Sequence, residues 1–228
     1  MSERPHHSPT HTDFAGITCR IRKPQGNAPH PTLVMLHGFQ GTEDVTWIFA
    51  RTLGPEWLVV SPRAPIRAEL GYTWYTFDAQ GHSDPQTFES ALLTLERFIE
   101  AVAAEYPIDP AHLILLGFSQ GAAMAYAYAI HAARQRQTGA PIVFPPSGVI
   151  SLGGFIPSPV KKPYPQMDRL PVLIIHGTED ETINVAIARK NRVALEESGA
   201  AVTYFEEKVG HRVGAGGMRL INSWLKDH

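Results

Sequence analysis

Short apolar runs and longer mixed stretches take turns along this chain. Thr32–Leu36 (TLVML), Trp57–Val60 (WLVV), Leu113–Leu116 (LILL), Gly148–Leu152 (GVISL), Val172–Ile175 (VLII) and Val202–Phe205 (VTYF) are four or five residues long. Each is bounded by turn-forming residues, as buried strands are. Thr18–Lys23 alternates weakly between apolar and polar and is expected as an edge strand. Between the runs lie helical patterns. The longest spans Asp84–Tyr106, where Phe88, Leu92, Leu95, Phe98, Ile99 and Val102 recur at threes and fours. Asp84 suits a cap there, and Pro85 a first helical position. Thr42–Leu53, Ser119 to about Gln137, Ala186–Ser198 (stopped by Gly199) and Met218–Lys226 are the other predicted helices. Strands alternating with helices imply an α/β fold, with a mostly parallel central sheet and helices on both faces.

The chain has 228 residues and is 43% apolar and 18% charged, which suits one globular domain, expected over residues 16–228. Residues 1–15 are polar and are expected as a disordered tail. His6, His7 and His11 in that tail are metal-ligand types, but a solvated tail is the favoured account of them. A formal net charge of −2 gives no footprint for nucleic acid or an anionic membrane. No apolar run approaches the ~18 residues of a membrane span, and the N-terminus carries no apolar leader. Cys19 is the only cysteine, so no intramolecular disulfide forms. These features point to a cytoplasmic protein. A homodimer is left open.

In open α/β sheets, ligands bind beyond the carboxyl ends of the strands. His37-Gly38-Phe39-Gln40-Gly41 follows TLVML, and Gly117-Phe118-Ser119-Gln120-Gly121 follows LILL. His176-Gly177-Thr178-Glu179-Asp180 follows VLII, and Gly210-His211 comes after VTYF. Gly-x-Ser-x-Gly between a strand and a helix is a nucleophile elbow. The serine takes a sharp, positive-φ turn that lifts its hydroxyl clear of the sheet, and the flanking glycines let strand and helix approach closely. A serine hydroxyl needs a base. His211 is the candidate base, and Asp180 the candidate carboxylate that orients it, with Glu179 and Glu181 as neighbouring alternatives. The amides of Gln120 and Phe39 are the candidate oxyanion donors. His37 and His176 are assigned as buried structural histidines. Trp74, Tyr75, Phe155 and Ile156 are expected to line an apolar substrate pocket, with Phe39 close by. The Pro-rich stretch from Pro141 to Pro165 is a candidate rim of the site.

The motifs LHGFQG (Leu36–Gly41), SPRAP (Ser61–Pro65) with Trp74-Tyr75, GFSQGAAMA (Gly117–Ala125), GVISLGGFIP (Gly148–Pro157), HGTED (His176–Asp180) and VGH (Val209–His211) resemble the phospholipase/carboxylesterase family of α/β-hydrolases. That family includes acyl-protein thioesterases and small bacterial carboxylesterases. The resemblance covers most of the chain from about residue 30 onward. It implies an α/β-hydrolase fold with no large cap domain. It also implies Ser119, Asp180 and His211 as nucleophile, acid and base, and the Phe39 and Gln120 amides as oxyanion donors. Where family members commonly carry Pro and a pair of Val after the acid, this chain has Glu181-Thr182-Ile183.

The function expected is hydrolysis of carboxylic esters, or of thioesters, of small or medium acyl groups through an acyl-enzyme, with no metal or organic cofactor. Two other classes are weighed against it. A dienelactone-type hydrolase usually carries Cys at the position of Ser119, and a peptidase of this fold usually carries a cap or propeller domain. A non-catalytic binding protein on the same fold commonly lacks a triad member, and this chain has all three.

Overall fold

The computed structural model describes residues 9–140 and 144–228. Eight strands form one sheet in the order β1 (Thr10–Phe14), β2 (Ile17–Arg22), β4 (Leu58–Pro62), β3 (His30–Leu36), β7 (Ile108–Phe118), β8 (Gly148–Leu152), β9 (Pro171–Gly177), β10 (Ala201–Glu207). From β4 through β10 every neighbouring pair is parallel, while β1–β2 and β2–β4 are antiparallel. A hairpin of two-residue strands, β5 (Ile66–Arg67) and β6 (Tyr72–Thr73), stands apart from the sheet. Helices α1 (Pro85–Glu105), α2 (Gln120–Thr138) and α3 (Val185–Glu197) bury Phe98, Met124 and Leu195 on one face. On the other face α4 (Ala215–Asp227) buries Ile221, Trp224 and Leu225 with Phe49 and Trp57. Among the described residues no helical layer covers the carboxyl edge of the sheet, and no helix is long and apolar enough to cross a membrane.

The period-3.6 stripe of α1 is the buried side of that helix. Asp84 caps it by accepting from the Thr87 amide at 2.8 Å, and Pro85 opens it. Gly139 and Gly199, at φ 72° and 82°, terminate α2 and α3 in the left-handed region that favours glycine.

Three expectations are corrected. The polar tail does not extend to residue 15: Thr10–Phe14 is a strand paired with β2 through Ala15 and Gly16, at φ 50° and 78°. Phe14 packs edge-on against Phe98 and Tyr106, with ring centroids 6.1 and 6.4 Å away, so one aromatic and a hydrogen-bonded ladder outweigh the polar composition. β2 therefore lies one strand in from the edge. His6 and His7 lie outside the described residues, as do Pro141, Ile142 and Val143 of the Pro-rich stretch. His11 stands 3.5 Å from Glu43 and 3.4 Å from Asp44, carboxylates that Arg63 and Arg20 already neutralise.

The third correction concerns Thr42–Leu53, which forms only a 3-10 turn over Val45–Ala50. The side chain of Asp44 makes no cap there, because it is held by Arg20 at 3.0 Å. Trp47 donates its indole N–H to Glu43 O at 3.0 Å, and the Arg20 guanidinium covers its ring at 4.7 Å.

Candidate active site

β7 ends at Phe118 and α2 begins at Gln120, which leaves one residue for the whole reversal. Ser119 makes it at φ 54°, ψ −115°. A side chain in that region costs about 1–3 kcal/mol and persists only where its surroundings impose it. The imposition is visible at both glycines. A Cβ on Gly117 would lie 2.3 Å from the Gly121 backbone, and a Cβ on Gly121 would lie 2.1 Å from Leu36 O. Strand β3, the elbow and the first turn of α2 are thus in backbone contact, and no other residue type fits either position.

Ser119 donates its own amide to Leu152 O at 2.8 Å, so that amide is not available to a substrate. The next amide, of Gln120, opens α2 and has no acceptor among the described residues. The Phe39 amide, beyond the end of β3, has none either. A Cβ on Gly38 would lie 3.3 Å from Ser119 Cβ, so the loop carrying Phe39 runs directly against the serine. Two free amides therefore flank one hydroxyl at the positive end of a helix.

The candidate acid lies past β9. Asp180 is fully buried, and its Oδ1 accepts from the amides of Thr182 and Ile183 at 2.9 and 2.8 Å. Its Oδ2 meets His211 Nδ1 at 2.7 Å. With a carboxylate as acceptor, Nδ1 carries the proton and Nε2 is the free ring nitrogen. Glu179 is instead drawn toward Lys208 at 3.8 Å, and Glu181 is exposed, so Asp180 is the carboxylate the histidine meets. The loop bearing His211 is seated by two bonds, Glu179 N to Val209 O at 3.0 Å and Thr178 N to Glu207 O at 2.9 Å. A Cβ on Gly177 would strike Val209 O at 2.2 Å, which explains the glycine after His176.

The imidazole of His211 stands over Gly153, 3.3 Å from where its Cβ would be, and its ring lies 4.9 Å from Phe118. Gly153 directly follows the Leu152 that binds the Ser119 amide. The serine and the histidine are therefore brought to adjacent positions on the same edge.

His37 and His176 are buried and hydrogen-bonded, as expected. His37 accepts from the Ala64 amide on Nε2 at 3.0 Å, and burial holds its pKa below the ordinary imidazole value. His176 donates Nε2–H to Ile183 O at 2.7 Å and lies 3.4 Å from Asp180 Oδ2, behind the acid.

A cavity of about 430 Å³ opens at Ser119 and Gln120. Its wall comes from the loops after successive strands: Phe39, then Phe77 and Gly81–Ser83, then Phe155, Ile156 and Ser158, then Thr182, Ile183 and Ile187. Phe155 and Ile156, two of the expected pocket residues, line this cavity. Trp74 and Tyr75 are not: they are 1% and 0% exposed and belong to the core behind the cavity. Trp74 is turned inward to donate its indole N–H to His37 O at 2.9 Å, while Tyr75 packs on Phe88. The neighbouring Phe77 reaches the wall instead and meets Phe39 edge-on at 6.0 Å. Ile183 and Ile187 escaped the sequence reading, since only the fold shows that α3 begins at the mouth of the site.

Residues 19–228 match the family model described as Phospholipase/Carboxylesterase. Acyl-protein thioesterase 1 of Debaryomyces hansenii is 28% identical over 151 residues, 61% of this chain and 60% of that protein. The acyl-protein thioesterase 1 homolog 1 of Dictyostelium discoideum is 28% identical over 134 residues, 54% of this chain and 55% of that one. The match thus spans three-fifths or less of either relative. The crystal structure of the Bacillus cereus carboxylesterase superposes with a TM-score of 0.81 at 22% identity, covering 93% of this chain and 95% of that one. A likeness at that identity establishes the α/β-hydrolase fold.

Proposed function

The chain belongs to the phospholipase/carboxylesterase family, and from that premise we propose that it is a serine hydrolase of uncharged carboxylic esters or thioesters, acting through an acyl-enzyme on Ser119. The observation that carries the reading is the 2.7 Å contact of His211 Nδ1 with the buried Asp180, on the same sheet edge as a strained serine. Asp180 holds the imidazole in the tautomer whose Nε2 is basic. Nε2 takes the Ser119 proton as Oγ attacks the acyl carbonyl. The oxyanion that forms accepts from the Phe39 and Gln120 amides, each donor of this kind being worth about 3 kcal/mol. His211 then returns the proton to the leaving alcohol or thiol. Water, deprotonated by the same nitrogen, releases the acid and regenerates Ser119. No step calls for a metal or an organic cofactor.

The cavity supports an apolar acyl group of small or medium size. Six of its wall residues are Phe or Ile, and among the described residues no Lys, Arg, Asp or Glu lines it. The relatives named as acyl-protein thioesterases favour including thioesters in the test. The lone cysteine, Cys19, favours a cytoplasmic location, and one continuous sheet favours a single domain.

A panel of p-nitrophenyl esters and acyl thioesters of graded chain length tests this. Turnover by the wild type, with a loss of at least about 10³-fold in both Ser119→Ala and His211→Ala, is the expected result. Equal rates in wild type and Ser119→Ala would refute it. Within the panel, shortening Phe77 or Ile187 to Ala is expected to shift the preferred acyl chain toward greater length.

A further inference from the structure

Gln120 contributes more than an amide to this site. Its side chain is almost wholly buried, and every polar atom on it is engaged with one short segment. Oε1 accepts from Trp74 N at 3.0 Å and lies 2.9 Å from Thr73 Oγ1, while Nε2 donates to Tyr75 O at 2.8 Å. The carboxamide therefore clamps residues 73–75 to the elbow. From Trp74 the connection continues, since its indole N–H donates to His37 O at 2.9 Å.

His37 determines where the Phe39 amide points. The Ala64 amide donates to His37 Nε2, so the ring proton is on Nδ1, and Nδ1–H donates to Gly38 O at 2.8 Å. Gly38 O also accepts from Gly41 N at 3.0 Å. A trans peptide is planar, with its carbonyl and N–H directed oppositely. Two donors on Gly38 O therefore fix the plane of the Gly38–Phe39 peptide and aim the Phe39 N–H away from His37.

We propose that the Gln120 carboxamide, Trp74 and His37 form one positioning unit that sets the angle and spacing of the two oxyanion donors relative to each other. The proposal rests on the esterase reading of the same site. The donors come from separate loops, and a shift of either one misplaces the pair. The Gln120 side chain links its own amide to that of Phe39 through two intermediates. Trp74 is then held in position by its hydrogen bonds rather than by contact with substrate, in keeping with its burial. Misalignment by a fraction of an ångström at such donors costs rate without costing substrate affinity.

Trp74→Phe removes the indole donor and keeps an aromatic ring. Gln120→Met removes the clamp at similar volume. Each is expected to lower kcat for p-nitrophenyl acetate about tenfold, to weaken a boronic acid inhibitor by a similar factor, and to change KM less than about twofold. The double variant is expected to be no slower than the slower single one, because both break the same chain. Independent kcat losses that multiply, or losses confined to KM or thermal stability, would overturn the proposal. Hydrogen exchange at the Gly41 amide separates this from the esterase reading. In Gln120→Met that amide, bonded to Gly38 O at the far end of the chain, is expected to exchange at least about tenfold faster. An unchanged Gly41 rate refutes the positioning unit whatever the activity, whereas a faster rate in a protein that turns over no ester refutes only the esterase reading.

Discussion

The backbone of Ser119 is an L-residue held at φ 54°, ψ −115°, so replacing it with glycine should stabilise the fold while abolishing catalysis. The reference is Ser119→Ala, which also lacks the hydroxyl but keeps the Cβ and hence the strain. Strain of this kind is worth about 1–3 kcal/mol. Glycine gives back about 0.4–1 kcal/mol through the greater freedom of the unfolded chain. The difference favours Ser119→Gly over Ser119→Ala by about 1 kcal/mol, which for a chain of this size is roughly 2–4 °C in Tm. Differential scanning calorimetry with urea unfolding at pH 7.5 measures both quantities. Both variants should be inactive. A Ser119→Gly protein no more stable than Ser119→Ala would mean that the elbow stores no strain, and that the contacts of Gly117 and Gly121 do not impose the turn.

Gly121→Ala places a methyl 2.1 Å from Leu36 O and should cost about 3 kcal/mol, roughly 6–12 °C in Tm; a wild-type melting curve would refute the close approach. Cys19 is fully buried, and burial pushes its thiol up to about 12, so iodoacetamide at pH 8 should leave the native protein unmodified and alkylate it only in denaturant; native labelling at the rate of a free thiol would contradict the packing of β2. His37 is held below its ordinary pKa chiefly by burial, so the unfolded chain binds its proton first. Its contribution is present above about pH 6.5 and is lost as the pH falls below that. The urea midpoint should therefore drop more between pH 7 and 5 in wild type than in His37→Gln, and parallel drops would refute the assignment.

What the sequence makes legible follows from steric and covalent necessity. Gly117, Ser119 and Gly121 are readable as an elbow because the turn admits no other residues at the glycines. α1 is readable because its apolar positions leave one face to bury and Asp84-Pro85 starts it. The parallel order of β3, β7 and β8 follows from short apolar runs with helices between them, while β9 joins the same order after a connection, residues 153–170, that carries no helix. What escapes depends on contacts between distant segments. Asp180 is distinguished from Glu179 and Glu181 only by where the 207–211 loop passes. Trp74 and Tyr75 look like pocket residues until Gln120 is seen to hold their backbone against the elbow, leaving Phe77 to face the cavity. β1 escapes because its main apolar anchor, Phe14, matters only once Phe98 and Tyr106 are beside it.

The central claim is that Ser119 is an activated nucleophile. Labelling the purified protein with a fluorophosphonate and mapping the modified peptide by mass spectrometry tests it directly. The account predicts a stoichiometric adduct on Ser119 in the wild type, none in Ser119→Ala, and strongly slowed labelling in His211→Ala. No adduct, or an adduct on another residue, under conditions where a known serine esterase labels fully, would contradict it.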